Sequence, residues 1–247
     1  MPTMKKILIA ILALIMVVSG AITVKRNLEV KRENDKFSEI QAEMIPEISE
    51  PVIIEETERS AEEKTEPAPA STYEAPQALL ELMEEYQDCI GYIDIEGTNI
   101  HYPIMQNADN EYYLHRDMDG ESSVSGCIYM DSNHDISEKG LHTIYGHHMK
   151  NGSMFKDVSK FVDADYMKNH QEIRIKTADK EISLAPVYCY TGASDGTYRN
   201  VVTSHGQVIE FIKSHTGLEI DTDDLYVLVT CSYDGADNRC YLYCIPE

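Results

Sequence analysis

The stretch LYVLVTCSYDGADNRCYLYCI, Leu225 to Ile245, sets two apolar runs, Leu225–Thr230 and Arg239–Ile245, on either side of a polar loop that contains Gly235. Runs this short, rich in Val, Leu and Tyr and broken by Asp, Asn and Gly, read as two β-strands joined by a turn. Upstream the same pattern recurs at Tyr92–Ile95, Ile100–Met105, Cys127–Met130, His142–Tyr145, Glu172–Lys176 and Ile182–Tyr190. Eight short strands in about 170 residues predict a closed or nearly closed barrel. Two helices are expected beside it. Ala75-Pro76-Gln77 opens a short amphipathic helix with Leu79, Leu80, Leu82, Met83 and Tyr86 on one side. Val201, Val202, Val208, Ile209, Phe211 and Ile212 fit one face of a second, over Asn200–His215. The expected fold class is mainly β with helices: a closed β-barrel with an N-terminal helix and a helix before the strand that ends at Cys231.

The chain before Pro76 differs in kind. Ile7 to Val24 is a run of 18 residues without charge, just long enough to span a bilayer as a helix, with Lys5 and Lys6 before it and Lys25 and Arg26 after it. A cleaved secretory signal competes with this reading, since Ser19-Gly20-Ala21 supplies small residues near a cut site. The length of the apolar run favours an uncleaved anchor. Basic residues at both ends leave the orientation undecided by charge. From Asn27 to Ala75, fourteen Asp or Glu stand against five Lys or Arg, with Pro46, Pro51, Pro67 and Pro69 spread through the segment. Some helix is expected near Lys31 to Met44. Residues 45–75 are too acidic and proline-rich to bury a core, which predicts a solvated stalk. The expected organisation is a membrane anchor over residues 1–26, an acidic stalk over 27–75 and a catalytic domain over 76–247.

A formal net charge of −22 argues against a nucleic-acid partner, which calls for a basic face, and against binding to anionic lipid by charge alone. The six cysteines form no CxxC pair, so a zinc ribbon or thioredoxin-like site is not expected. Most should be buried thiols that pack as small hydrophobes. A zinc site from His142, His147 and His148 lacks an evident fourth ligand, and neither metal nor cofactor is expected.

Two segments carry chemistry. In Thr143-Ile-Tyr-Gly-His147-His148-Met-Lys-Asn-Gly-Ser-Met-Phe155 and in Val227-Leu-Val-Thr-Cys231, an apolar strand runs out into a polar loop with a reactive side chain at the junction. A thiol attacks as thiolate, and a nearby imidazolium favours that form. An arginine on the following strand, Arg239, can return to the same end of a barrel and donate hydrogen bonds to an oxyanion. By spacing alone, a buried thiol and a surface imidazole fit these residues equally well.

The strings themselves are more specific, and they resemble a class B sortase. Val227-Leu228-Val229-Thr230-Cys231 is similar to that family's Thr-Leu-x-Thr-Cys signature, and Arg239 follows eight residues on. Tyr145-Gly146-His147 with Met149-Lys150-Asn151-Gly152-Ser153-Met154-Phe155 resembles the histidine segment. Gly97-Thr98-Asn99-Ile100, Tyr102-Pro103-Ile104 and Asp109-Asn110-Glu-Tyr112-Tyr113-Leu114 resemble the early strands and first loop. The likeness runs from about Glu81 to Ile245. Two positions depart from it: the signature's first Thr is Val227, and its variable position, often Ser, is Val229.

The resemblance implies a cysteine transpeptidase with Cys231 as nucleophile, His147 as proton donor and Arg239 as oxyanion stabiliser. It places Asn110, Leu114 and Thr230 along the substrate groove, and leaves His148 as a solvated loop residue. The implied partners are a sorting-signal peptide of surface proteins, cleaved after Thr, and an amine of a cell-wall precursor or a pilin Lys. The implied location is the cell membrane, crossed once by the N-terminal helix, with the catalytic domain outside. A membrane-bound cysteine protease acting by hydrolysis and a non-enzymatic surface adhesin are the competing readings.

Overall fold

The computed structural model describes residues 2–48, 73–232 and 237–247. Every one of the eight expected runs is a strand: β1 (Cys89–Ile95), β2 (Ile100–Met105), β3 (Ile128–Met130), β4 (Leu141–Tyr145), β5 (Ile173–Lys176), β6 (Glu181–Ala193), β7 (Leu225–Cys231) and β8 (Asn238–Pro246). They close into a barrel in the order β1-β2-β3-β4-β7-β8-β6-β5, with β5 pairing back to β1. Neighbours are antiparallel except β2 with β3 and β4 with β7. Parallel neighbours need a long crossover, and everything from the histidine segment to α4 (His205–Thr216) is the crossover from β4 to β7.

That crossover explains why Leu225 to Thr230 is continuously apolar instead of alternating. Tyr226 and Leu228 face the barrel interior with Cys240, Leu242 and Cys244 of β8, among Ile93, Ile104, Phe155 and Phe161. Val227 and Val229 face outward with Tyr241 and Tyr243, under Val208, Phe211 and Ile212 of α4. A strand covered on both faces has no polar side to alternate with. Each such Leu, Ile or Phe contributes about 1.5–3 kcal/mol of hydrophobic stabilisation.

The helix expected over Asn200–His215 starts later, at His205. Residues before it are spent elsewhere: Leu141 N donates to Val202 O at 2.8 Å, and His134 Nε2 lies 3.0 Å from Asn200 O. Gln207 Oε1 accepts from Ser204 N and Oγ across the first turn, and Gly217, at φ 74°, ends the helix in the left-handed conformation. The N-terminal-side helix is α2 (Gln77–Glu85), whose Leu79 and Leu82 are buried while Leu80 stays exposed.

α1 (Pro2–Ile48) is one continuous helix with two characters. Its described apolar side chains from Met4 to Leu28 are exposed, and the helix is long and apolar enough to cross a membrane. Its second half lies on the barrel. Glu33, Phe37 and Met44 are buried, Arg32 and Lys36 pair with Asp117 and Asp119 at 3.2 and 2.6 Å, and Gln41 Nε2 donates to His101 O at 2.9 Å. The segment expected to be stalk from residue 27 therefore begins as a docked helix. Its stripe of Phe37, Ile40 and Met44, at helical spacing, was diluted by surrounding acids. Of the remaining stalk, residues 49–72 lie outside the described residues.

Candidate active site

Cys231 is the last residue of β7, and Arg239 stands directly opposite it in the β7–β8 ladder. Directly opposed residues of antiparallel strands have Cβ atoms about 4.5–5.5 Å apart, so the strand pairing alone sets the two side chains side by side. β4 runs parallel to β7 on the other side, with Tyr145 level with Val229. Gly146 N donates to Val229 O at 3.0 Å and carries the pairing one step further. Continued by one more residue, the same register puts His147 level with Cys231. Three residues remote in sequence thus meet because β4, β7 and β8 are neighbours.

Gly146 is the tight point of this arrangement. A Cβ there would sit 2.4 Å from Ile128 Cδ1 and 2.6 Å from Phe155 Cγ, closer than real side chains approach. Beyond it, Phe155 N donates to His147 O at 3.0 Å and His148 bridges to Met154, which folds the histidine loop back on itself. His147 Nε2 lies 2.8 Å from the Leu114 carbonyl. A carbonyl only accepts, so Nε2 carries a proton and Nδ1 is the nitrogen left for chemistry.

Cys231, His147 and Arg239 line one cleft of about 380 Å³, together with Leu114, Thr230, Tyr129, Tyr145, Tyr198, Arg199, Val229 and Tyr241. Cys231, His147 and Arg239 are each half-buried, while Thr230 is 2% exposed and its hydroxyl has no hydrogen-bond partner among the described residues. Asn110 is not brought to the cleft. Its amide is committed, Nδ2 to Asp131 Oδ2 at 2.9 Å and Oδ1 to Ser132 N at 2.8 Å. Asp131, fully buried, also accepts from Tyr145 OH at 3.0 Å. Asn110 therefore reaches the cleft wall only through Asp131 and Tyr145.

The chain matches the sortase domain family over residues 93–247, more than half its length. It belongs to the sortase family. Sortase B from Listeria monocytogenes is 34% identical to it over 119 residues, 47% of this chain and 48% of that protein, so the match spans about half the relative's length. Sortase B from B. anthracis in complex with AAEK1 superposes with a TM-score of 0.67 at 24% identity, covering 89% of this chain and 99% of that one. The Staphylococcus aureus sortase B-substrate complex superposes with a TM-score of 0.70 at 19% identity, covering 88% and 97%. The class B resemblance of the sequence is borne out by these comparisons.

Several residues of this sortase cleft escaped the sequence reading. His148, expected in solvent, is half-buried, and its Nδ1 donates to the carbonyl of Cys231 itself at 2.9 Å, tying the histidine loop to the end of β7. Tyr145, the last residue of β4 and the first of the histidine segment, also lines the cleft. Burial first, and then the charge of Asp131, push its phenol well above the usual range, so it stays a donor. Arg199 and Tyr198 come from a single 3-10 turn (Gly196–Arg199) that no periodicity marks. The histidine loop leads into another, Phe155–Val162, whose Phe155, Val158 and Phe161 are buried at a spacing of three. That spacing was the available signal.

Proposed function

We propose that this chain is a membrane-anchored cysteine transpeptidase, with Cys231 as nucleophile, Arg239 as oxyanion stabiliser and His147 as general acid. The observation that carries the reading is the shared cleft, with Cys231 and Arg239 in register across β7 and β8. The Cys231 thiolate attacks the carbonyl carbon of a Thr in a sorting-signal peptide, forming the S–C bond and an oxyanion that the Arg239 N–H groups receive. Collapse of the oxyanion breaks the C–N bond, and the leaving amine takes a proton from His147. An incoming amine then attacks the thioester, gives its proton to His147 and expels the Cys231 thiolate as the C–S bond breaks. Amines attack thioesters readily, which suits transfer over hydrolysis. A cell-wall precursor or a pilin Lys supplies such an amine.

His148, holding the Cys231 carbonyl, and Asn110, holding Asp131 under Tyr145, act as positioning residues. Leu114 contacts the peptide, whereas Thr230, 2% exposed, supports the cleft wall. The apolar half of α1 anchors the chain, and an extracellular domain at the bilayer meets both a membrane-tethered substrate and a lipid-linked acceptor. Of the expected domain boundaries, the anchor over residues 1–26 stands in this reading.

The test uses the full-length chain in detergent with a library of sorting peptides, read by intact mass. Wild type forms a thioester adduct that an added amine resolves to the transfer product. Cys231→Ala lowers adduct formation by more than about 10³-fold, and Arg239→Ala by about 10²-fold. An adduct that persists in Cys231→Ala removes the nucleophile assignment, and a product unaffected by added amine favours a hydrolytic protease instead.

A further inference from the structure

The cleft holds a cation that the proposed chemistry leaves unused. Arg199 ends the turn Gly196–Arg199 and lines the same cleft as Cys231 and Arg239. The turn is firmly held. Tyr198, 1% exposed, stacks on Tyr241 with ring centroids 4.3 Å apart, and its hydroxyl lies between those of Tyr190 and Tyr243. The Arg199 carbonyl accepts from Asn133 Nδ2 at 3.1 Å, and Asn133 N in turn donates to Asp131 Oδ1 at 3.0 Å. The residue itself is exposed, and Tyr145, whose phenol proton is pledged to Asp131, lines the same cleft.

No carboxylate pairs directly with Arg199 among the described residues. Asp131 is fully buried behind Tyr145. The acid that shares the cleft, Asp195, is turned away: its Oδ1 accepts from Thr197 N at 2.8 Å, and its Oδ2 lies 3.5 Å from His215 Nε2. Arg199 is exposed and lines the cleft beside the Tyr145 phenol, whose proton is already committed to Asp131. A guanidinium matches a carboxylate in a two-point geometry that no neutral side chain reproduces. On a chain with a net charge of −22 it is also a local reversal of sign, and such reversals select partners by charge.

We propose that Arg199 is a specificity residue that pairs with the carboxylate of an Asp or Glu side chain in the sorting peptide. The inference rests on the transpeptidase reading of the cleft and adds the class of side chain its donor carries. The donor is favoured over the acceptor because it enters an open cleft and must be held there through acylation. The acceptor arrives at a thioester whose cleft the donor already fills.

The experiment measures the rate of acyl-enzyme formation by the full-length chain in detergent, without acceptor, by intact mass. Sorting peptides carry Asp, Asn or Lys at each position around the Thr in turn. At one position Asp acylates about tenfold faster than Asn. Arg199→Gln brings that ratio close to one, Arg199→Lys keeps part of it, and Arg199→Glu shifts the preference to the Lys peptide. A merely structural Arg199 predicts something else: Arg199→Gln slows Asp and Asn peptides alike, and the proposal falls. An Asp-to-Asn ratio near one at every position in wild type overturns it as well. So does a carboxylate preference found only in the transfer step, with carboxylate-bearing against amidated acceptors, which assigns the anion to the acceptor. Wild type that forms no adduct with any peptide is a different failure. It removes the Cys231 reading, and this inference with it.

Discussion

Two walls of the same barrel each offer a cysteine and a histidine to compare, and they put them to opposite ends. On the β1–β2 wall, Cys89 is 3% exposed with its thiol on the Gly91 carbonyl, and both nitrogens of His101 are taken, Nδ1 by Asp94 at 2.5 Å and Nε2 by Thr98 O at 2.8 Å. On the β4–β7 wall, Cys231 opens into a cleft that His147 also lines, with Nε2 engaged by the Leu114 carbonyl. Residue type does not distinguish the walls. Nor does the place along the strand, since Cys89 opens β1 just as Cys231 closes β7. What does is cover, for Cys89 is buried and Cys231 and His147 line a cleft. A thiol becomes available where the barrel leaves it open to a cleft, not wherever a strand ends.

The largest expected contrast is in thiol reactivity. Burial pushes the Cys89 thiol up to about 12, and Cys244, fully buried on the inner face of β8, is pushed up by the same cause. A small thiol reagent reaches such groups only through opening of the fold, which costs several kcal/mol. Cys231 should therefore be modified at least about 10³-fold faster than Cys89 or Cys244 in the native protein. Peptide mapping after timed alkylation reads the rates. Equal rates would mean that the cleft is closed over Cys231 and that the contrast between the walls is false.

The barrel and the strands that line its cleft were legible because their cause is local. Short apolar runs between turns specify strands, and all eight formed. Cys231, His147 and Arg239 were legible as strand-end residues, and the strand order then brought them to one cleft. Arg199, Tyr145 and His148 were not, since each owes its place to partners remote in the chain: Asn133, Asp131 and the Cys231 carbonyl. Asn110 shows the converse. Its position in the first loop suggested a groove contact, and a buried carboxylate 21 residues away claimed its amide. The docked half of α1 was hidden for a third reason: three apolar residues on a charged helix are too few to outweigh its composition.

A middle-sized effect should come from Gly146, the residue that lets β4 end where His147 is needed. In Gly146→Ala the new methyl must displace Phe155 or Ile128, both in the core. Such overpacking costs about 1–3 kcal/mol, and each kcal/mol lowers Tm by roughly 2–4 °C at this size. Acylation should slow further than stability alone explains, because Phe155 N also holds the His147 carbonyl. A thermal melt and the adduct rate, measured on one preparation, separate the two losses. If neither moves, the strand end is not the constraint described here.

The smallest effect tests the other wall. Burial alone would lower the affinity of His101 for its proton, but the hydrogen bond and charge of Asp94 outweigh it and raise the value above the usual 6.5. A histidine held above its unfolded value stabilises the fold fully below about pH 6.5, and that contribution fades as pH rises through the raised value. His101→Gln should therefore destabilise the chain by about 0.5–1 kcal/mol near pH 5.5, and by less near pH 8.5. Denaturant melts of both proteins across that range give the difference directly. The rate of adduct formation should keep the same pH profile in His101→Gln as in wild type, since this imidazole lies in the ladder and touches nothing in the cleft. A shifted profile would tie the two walls together and end their separation into a structural and a reactive pair.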